Sequence, residues 1–283
     1  MSSVGSTQVL SFSNEEGPEA IEALEGFDLA LPTLDAFVLP SAKTMCQVTK
    51  KGITTSDGQR HWRDEWKEVT LSVHEGDLIA LATVGGKVDL VTLVEGKLQT
   101  VRCVFTRICT ITGSRHVSSA TLPQEISCLA IHTIPGTDKV IIAAGLWTTQ
   151  ELVLLSTTTS SSELSIISTF PLNTSFLVRS ALITTFKDNT TVLFVGIGDG
   201  TLITYALQST AEGVAISEDS RKTATLGTKP IVMAQFMVNE DVSVFVSSDR
   251  PTVVSRTNGR MNFASVALSV RQLASAPSLV EVN

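Results

Sequence analysis

A hairpin that returns at a regular interval is the strongest constraint on what this chain can fold into. Residues 78–84 and 87–93 are two runs rich in Val, Leu, Ala and Thr, separated by Gly85-Gly86. Two glycines there suit a tight primed turn, whose centre needs positive φ. The pattern recurs at residues 140–144 and 151–155 around Gly145-Leu-Trp-Thr148, and at 192–197 and 201–207 around Gly198-Asp-Gly200. It appears again at 242–246 and 252–254 around Ser248-Asp-Arg-Pro251. The centres lie about 50 to 60 residues apart, near the length of one four-stranded propeller blade.

A blade repeat also explains why the strands are continuously apolar while helical periodicity is nearly absent: blade strands are covered on both faces by their neighbours. The fold class is therefore all-β, a β-propeller of four-stranded antiparallel blades. Four hairpins, a first blade over residues 7–53 and partial elements at the ends give about five or six blades, fewer than the roughly seven that commonly close such a ring. Residues 1–283 are read as a single partial propeller domain cut from a larger, multi-propeller protein. Residues 18–24 are the one helix candidate, read as either a short helix or an acidic loop. Residues 156–162 (STTTSSS) are expected to form a polar connector between strands.

Composition narrows the function. With 43% apolar residues a sizeable core is available, while a net charge of -7 offers no basic field for phosphate backbones. Nucleic acid is expected as a partner at most indirectly. No apolar run approaches the roughly 20 residues needed to cross a bilayer, so no membrane role is expected. The first ten residues lack the charged start and apolar run of a secretory signal, which reads as intracellular. Cys46, Cys103, Cys109 and Cys128 show no CxxC spacing and are read as reduced, mostly buried thiols. The sequons at Asn173 and Asn189 are then incidental.

No motif carries chemistry. Gly196-Ile-Gly-Asp-Gly200 resembles a phosphate-cradling loop, but a strand rather than a helix should follow it. His61, His74, His116 and His132 lack metal-ligand spacing. No GxSxG elbow marks a nucleophile, and nothing selects a triad from the many Ser and Thr residues. Glu15-Glu16 and Asp64-Glu65 are adjacent pairs that diverge on an extended chain, hence solvated surface. Catalytic, cofactor and metal residues are expected to be absent, and the chain is read as no enzyme. Trp62 and Trp66, four apart, would share one face of a strand and lock blade to blade. Trp147 falls on a turn, where partner binding competes with packing as its role.

Several strings, in this order, resemble the DNA damage-binding protein 1 family, the propeller adaptors of cullin-4 ubiquitin ligases, and in particular its second propeller. They are Thr7-Gln-Val-Leu10, Glu65-Trp-Lys-Glu68, Gly145-Leu-Trp-Thr148, Arg179-Ser with Thr184-Thr-Phe186, Gly198-Asp-Gly200, Leu226-Gly-Thr and Ser248-Asp-Arg-Pro-Thr-Val253. The large propeller subunits of splicing factor 3b and of the cleavage and polyadenylation specificity factor look similar in architecture. The resemblance implies a non-catalytic scaffold that docks the N-terminal region of a cullin-4-type partner, in the nucleus and cytoplasm, serving DNA damage response and protein turnover. Substrate receptors would be held by the other propellers of the parent protein. Positions facing the cullin match Glu125 and Trp147, with Thr149 standing where the family usually shows an acid. The alternative is a propeller subunit of a splicing or 3′-end processing complex. A funnel enzyme or lectin would need convergent titratable groups at successive turns, where only Asp199 and Asp249 stand.

Overall fold

The computed structural model describes residues 9–12, 18–21, 27–28, 30–40, 43–62, 66–94, 97–100, 118–158, 164–210, 213–239 and 241–266. Among them there is no α-helix. A two-stranded sheet pairs β1 (Val9–Phe12) with β2 (Pro18–Ile21), Val9 opposite Ile21. The stretch read as helix or acidic loop therefore contributes a strand, because cross-strand pairing supplies its backbone partners where a helix of that length could not propagate.

Five antiparallel sheets follow, each with its strands in chain order. The first comprises β3 (Thr33–Leu39), β4 (Thr44–Thr49), β5 (Gly52–Thr55) and β6 (Arg60–His61); the second β7 (Val69–Glu75), β8 (Leu78–Thr83), β9 (Lys87–Val94) and β10 (Lys97–Thr100). In the second, β11 (Ser118–Thr121) pairs with the start of β9 while β10 pairs with its end, so two segments share the position of a fourth strand. The third is β12 (Ile126–Thr133), β13 (Lys139–Leu146), β14 (Glu151–Thr158) and β15 (Ser165–Pro171); the fourth β16 (Val178–Thr185), β17 (Thr191–Ile197), β18 (Thr201–Thr210) and β19 (Gly213–Thr225). The fifth is β20 (Val232–Val238), β21 (Asp241–Ser247), β22 (Thr252–Thr257) and β23 (Arg260–Ser265). These are the blades. The first begins at Thr33 and not at residue 7, since β1 and β2 pair only with each other within the first 32 residues. Ser156 to Thr158 belong to β14, and the rest of that polar run lies outside the described residues.

First strands lie side by side, β3 against β7, β7 against β12, β12 against β16 and β16 against β20, which makes them the inner strands of a radial stack. Side-chain alternation shows how the stack is held. Along β13, Ile141 and Ala143 enter a cluster with Leu193, Val195 and Ile203 of the fourth blade, while Val140, Ile142 and Ala144 enter one with Ala80, Ala82 and Leu90 of the second. The second and third strands of the interior blades thus bury both faces, and that is the physical origin of their unbroken apolar sequence. Trp66 lies fully buried between the first and second blades, beside Phe37, Ile53, Val69 and Leu81. Trp62 and Trp66 are not on a strand; both fall in the connection from β6 to β7, and only Trp66 locks blades together. No helix among the described residues is long and apolar enough to cross a membrane.

Candidate protein-docking site

Antiparallel order places each turn between the second and third strands at the same end of the sheet as the connection entering the first strand. The two are tied by a backbone bond in successive blades: Val84 N–H to Glu68 O, Trp147 N–H to Glu125 O and Gly198 N–H to Leu177 O, at 2.9, 3.1 and 2.9 Å. One face of the stack is therefore a row of repeated two-loop units.

The unit of the third blade brings the two candidate residues together. The turn spans residues 147–150, two residues later than the sequence suggests, because Gly145 and Leu146 continue β13, with Gly145 pairing Leu152 and Leu146 pairing Ile126. Trp147 opens the turn, 43% exposed, while the preceding Leu146 is fully buried. The Gln124 Oε1 accepts the Thr148 and Thr149 N–H groups at 3.1 and 3.2 Å and holds the turn rigid. Glu125 is exposed, and its Oε1 accepts the Gly85 N–H at 2.8 Å, bridging to the turn of the second blade. Gly85 and Gly86 both have positive φ, as expected, but the connection from Thr83 to Lys87 has three residues, Val84 included.

Four further residues complete the surface and were not singled out from sequence as site residues. The Arg179 guanidinium lies 5.7 Å from the Trp147 ring centroid, a cation–π distance. Phe176 (52% exposed) and Val84 (41%) flank it on the neighbouring units, and Gln124 fixes the Trp147 turn. Their signal was positional: Val84 sits in a turn, Gln124 and Phe176 in the connection just before an inner strand, and Arg179 at the start of the inner strand β16. The surface offers an aromatic anchor, a cation on its face and, toward the second blade, the Glu125 carboxylate, an arrangement that suits binding of a protein.

Other chemistry finds structural roles. Thr185 Oγ1, His132 Nε2 and Nδ1, and Glu75 Oε1 stand in triad order, each contact 2.8 Å. The Thr185 hydroxyl is also 2.8 Å from that of Thr191, and the second Glu75 oxygen accepts the Thr133 N–H. The contacts run from β7 through β12 to β16, so the group fastens inner strands of three successive blades. His74 and Asp35, 3.1 Å apart, do the same between β7 and β3. Cys46 and Cys128 are free and buried; burial pushes their thiols up to about 12 and about 11, so both stay protonated and unreactive. Cys103, Cys109, His116, Glu15, Glu16, Asp64 and Glu65 lie outside the described residues. The Gly196-to-Gly200 loop joins β17 to β18, strand to strand.

Comparison with known proteins places these features in context. Residues 1–280 match the family model described as the RSE1/DDB1/CPSF1 second beta-propeller. DNA damage-binding protein 1a of Arabidopsis thaliana is 28% identical over 95% of the chain, and DNA damage-binding protein 1 of Solanum lycopersicum 27% identical over 95%. DNA damage-binding protein 1 of Drosophila melanogaster is 33% identical over 54% of the chain and 13% of its own length. The chain spans 23% of the length of the two plant relatives.

Proposed function

We propose, since this chain belongs to the RSE1/DDB1/CPSF1 second beta-propeller family, that it is a non-catalytic docking domain of an adaptor linking a cullin-4-type scaffold to substrate receptors in a ubiquitin ligase. The domain is one propeller of a longer, multi-propeller protein, acting in nucleus and cytoplasm in DNA damage response and protein turnover. Receptors engage its other propellers, and nucleic acid is met at most indirectly.

The observation that carries this reading is Trp147, an indole 43% exposed at a turn pinned by the Glu125 carbonyl and the Gln124 amide. A large aromatic held rigid in water needs another use than core packing, and a preorganised anchor loses little entropy on docking. Arg179 over the ring and Glu125 beside it supply both signs of charge for orienting a partner.

The test is a pull-down of the cullin-4 N-terminal region by the chain and by the Trp147→Ala, Glu125→Ala double variant. The reading expects capture by the chain and a loss of about 30-fold or more in affinity in the variant, the scale of a hot spot worth about 2 kcal/mol. Undiminished binding by the variant removes the site assignment. Co-purification with splicing or polyadenylation subunits and no cullin removes the adaptor reading.

A further inference from the structure

A second exposed indole lies on the same face, at the first blade. Trp62, 40% exposed, walls a pocket of about 260 Å³ with Asp28, Thr49, Lys51, Ile53, Thr54 and Arg60. Cullin docking through Trp147 makes no use of it. We propose that this pocket binds a short acidic segment of another protein, with an Asp or Glu side chain between Lys51 and Arg60 and a neighbouring apolar side chain against Trp62.

The pocket is built and not incidental. Trp62 packs edge-on against the buried Trp66, ring centroids 6.1 Å apart, so its orientation is fixed from below. Its ring also approaches the backbone of the adjoining strand, which only glycine permits. Gly52 has φ +118, and a Cβ there would come within 2.5 Å of the His61 carbonyl and 3.0 Å of the Trp62 ring. The turn carrying Lys51 is set by its N–H donating to Thr49 Oγ1 at 3.3 Å.

Charge selects the ligand. Arg60 is held loosely by Asp28 at 3.8 Å, with the arginine side chain 67% exposed. The Asp28 backbone N–H and carbonyl are in turn gripped by the Gln47 amide at 2.9 and 3.0 Å. A guanidinium has five N–H donors, and one loose pair leaves most of them for an incoming carboxylate. Among the described residues the lining carries two cations and one carboxylate, a net positive set on a chain of net charge -7. That local sign favours an anion, and the indole favours an apolar group beside it. The volume is below the roughly 300–1,000 Å³ of small-molecule sites and suits one or two side chains. A nucleic acid strand is disfavoured, because its phosphates need a run of cations and the described lining offers two.

The test is fluorescence anisotropy of a labelled, capped peptide Asp-Glu-Phe-Leu-Asp-Glu titrated with the full chain, beside the same peptide with Asn and Gln in place of its acids. Saturable binding is expected. It should weaken at least tenfold for the amide peptide, for Trp62→Ala and for Lys51→Gln with Arg60→Gln, and should be unchanged in Trp147→Ala. Should Trp62→Ala lower the melting temperature through Trp66, the solvent-exposed Lys51→Gln, Arg60→Gln pair decides. Equal binding by that pair, equal binding of the amide peptide, or tighter binding of a labelled oligothymidine overturns the proposal. Loss of binding in Trp147→Ala with the Trp62 variants unaffected would move the acidic-segment site to the cullin surface and overturn it equally.

Discussion

Trp147 faces solvent although it is the largest apolar side chain of its turn, and the cause is in the backbone beneath it. Leu146 takes the inward place of the alternation, and the bond to the Glu125 carbonyl turns the chain before Trp147 can follow. Glu125 has two separable jobs, capping Gly85 and presenting charge. Glu125→Gln should keep the cap and the melting temperature, while Glu125→Ala should lose about 1 kcal/mol of stability, measured by chemical denaturation. A further residue reports on the rim through pH. Hydrogen bonds from Thr228 N–H, then from the Ser248 and Thr228 hydroxyls, hold the Asp249 carboxyl below its ordinary 3.8. A depressed folded-state value means stabilisation that is present above that pH and lost as pH falls through the folded value. Asp249→Asn should therefore melt below the parent at neutral pH, and the difference should begin to narrow below about pH 4 and close once pH is under the folded value. Trp147 is legible from sequence as a rim residue because it follows a strand at a turn. Arg179, Phe176 and Gln124 are not, since their roles come from a neighbouring connection tens of residues away in the chain.

Strands and turns were the most legible level, and the reason is that the second and third strands of the interior blades bury both faces. Continuous apolar runs such as β13 and β17 announce themselves, and glycine turns punctuate them. The first blade was harder to see because its second hairpin turns through Lys50 and Lys51, without a Gly pair or Asp-Gly string, and its fourth strand is two residues long. Gly86 shows what the glycine turns protect. Its φ is +72, and a Cβ would lie 2.2 Å from the Gln124 carbonyl and 2.8 Å from that of Leu122, both backbone atoms of the connection that carries Glu125. Gly86→Ala should cost about 1–3 kcal/mol in unfolding free energy and disturb the Glu125 cap with it. Between elements, His132 spans three inner strands through Glu75 and Thr185. His132→Ala leaves a partly buried carboxylate and hydroxyl without that partner. It should cost about 2 kcal/mol, with hydrogen exchange rising first along β7, β12 and β16.

Among the described residues the molecule is a row of blades in which interior faces are apolar and covered, while the outer faces of the first and last blades carry exposed apolar side chains. Leu34, Val38 and Met45 on the first are 40 to 43% exposed; Val232 and Val238 on the last are 64 and 45% exposed, with Phe236, Phe245 and Val253 only partly buried beside them. Contiguous faces of this kind associate in water. The isolated chain should show concentration-dependent sedimentation, and Val38→Lys with Val232→Lys should shift it to monomer; a parent chain that is monomeric at every concentration contradicts this. The proposed docking surface is the rim, where Trp147, Glu125, Arg179 and Phe176 stand on one side of this stack. Hydrogen exchange of the chain with and without the cullin-4 N-terminal region tests it most directly. Slowed exchange is expected at residues 84–86, 124–125, 147–149 and 176–179, with little change along β20 to β23. Protection confined to the open face of the last blade, or none at residues 147–149, would contradict it.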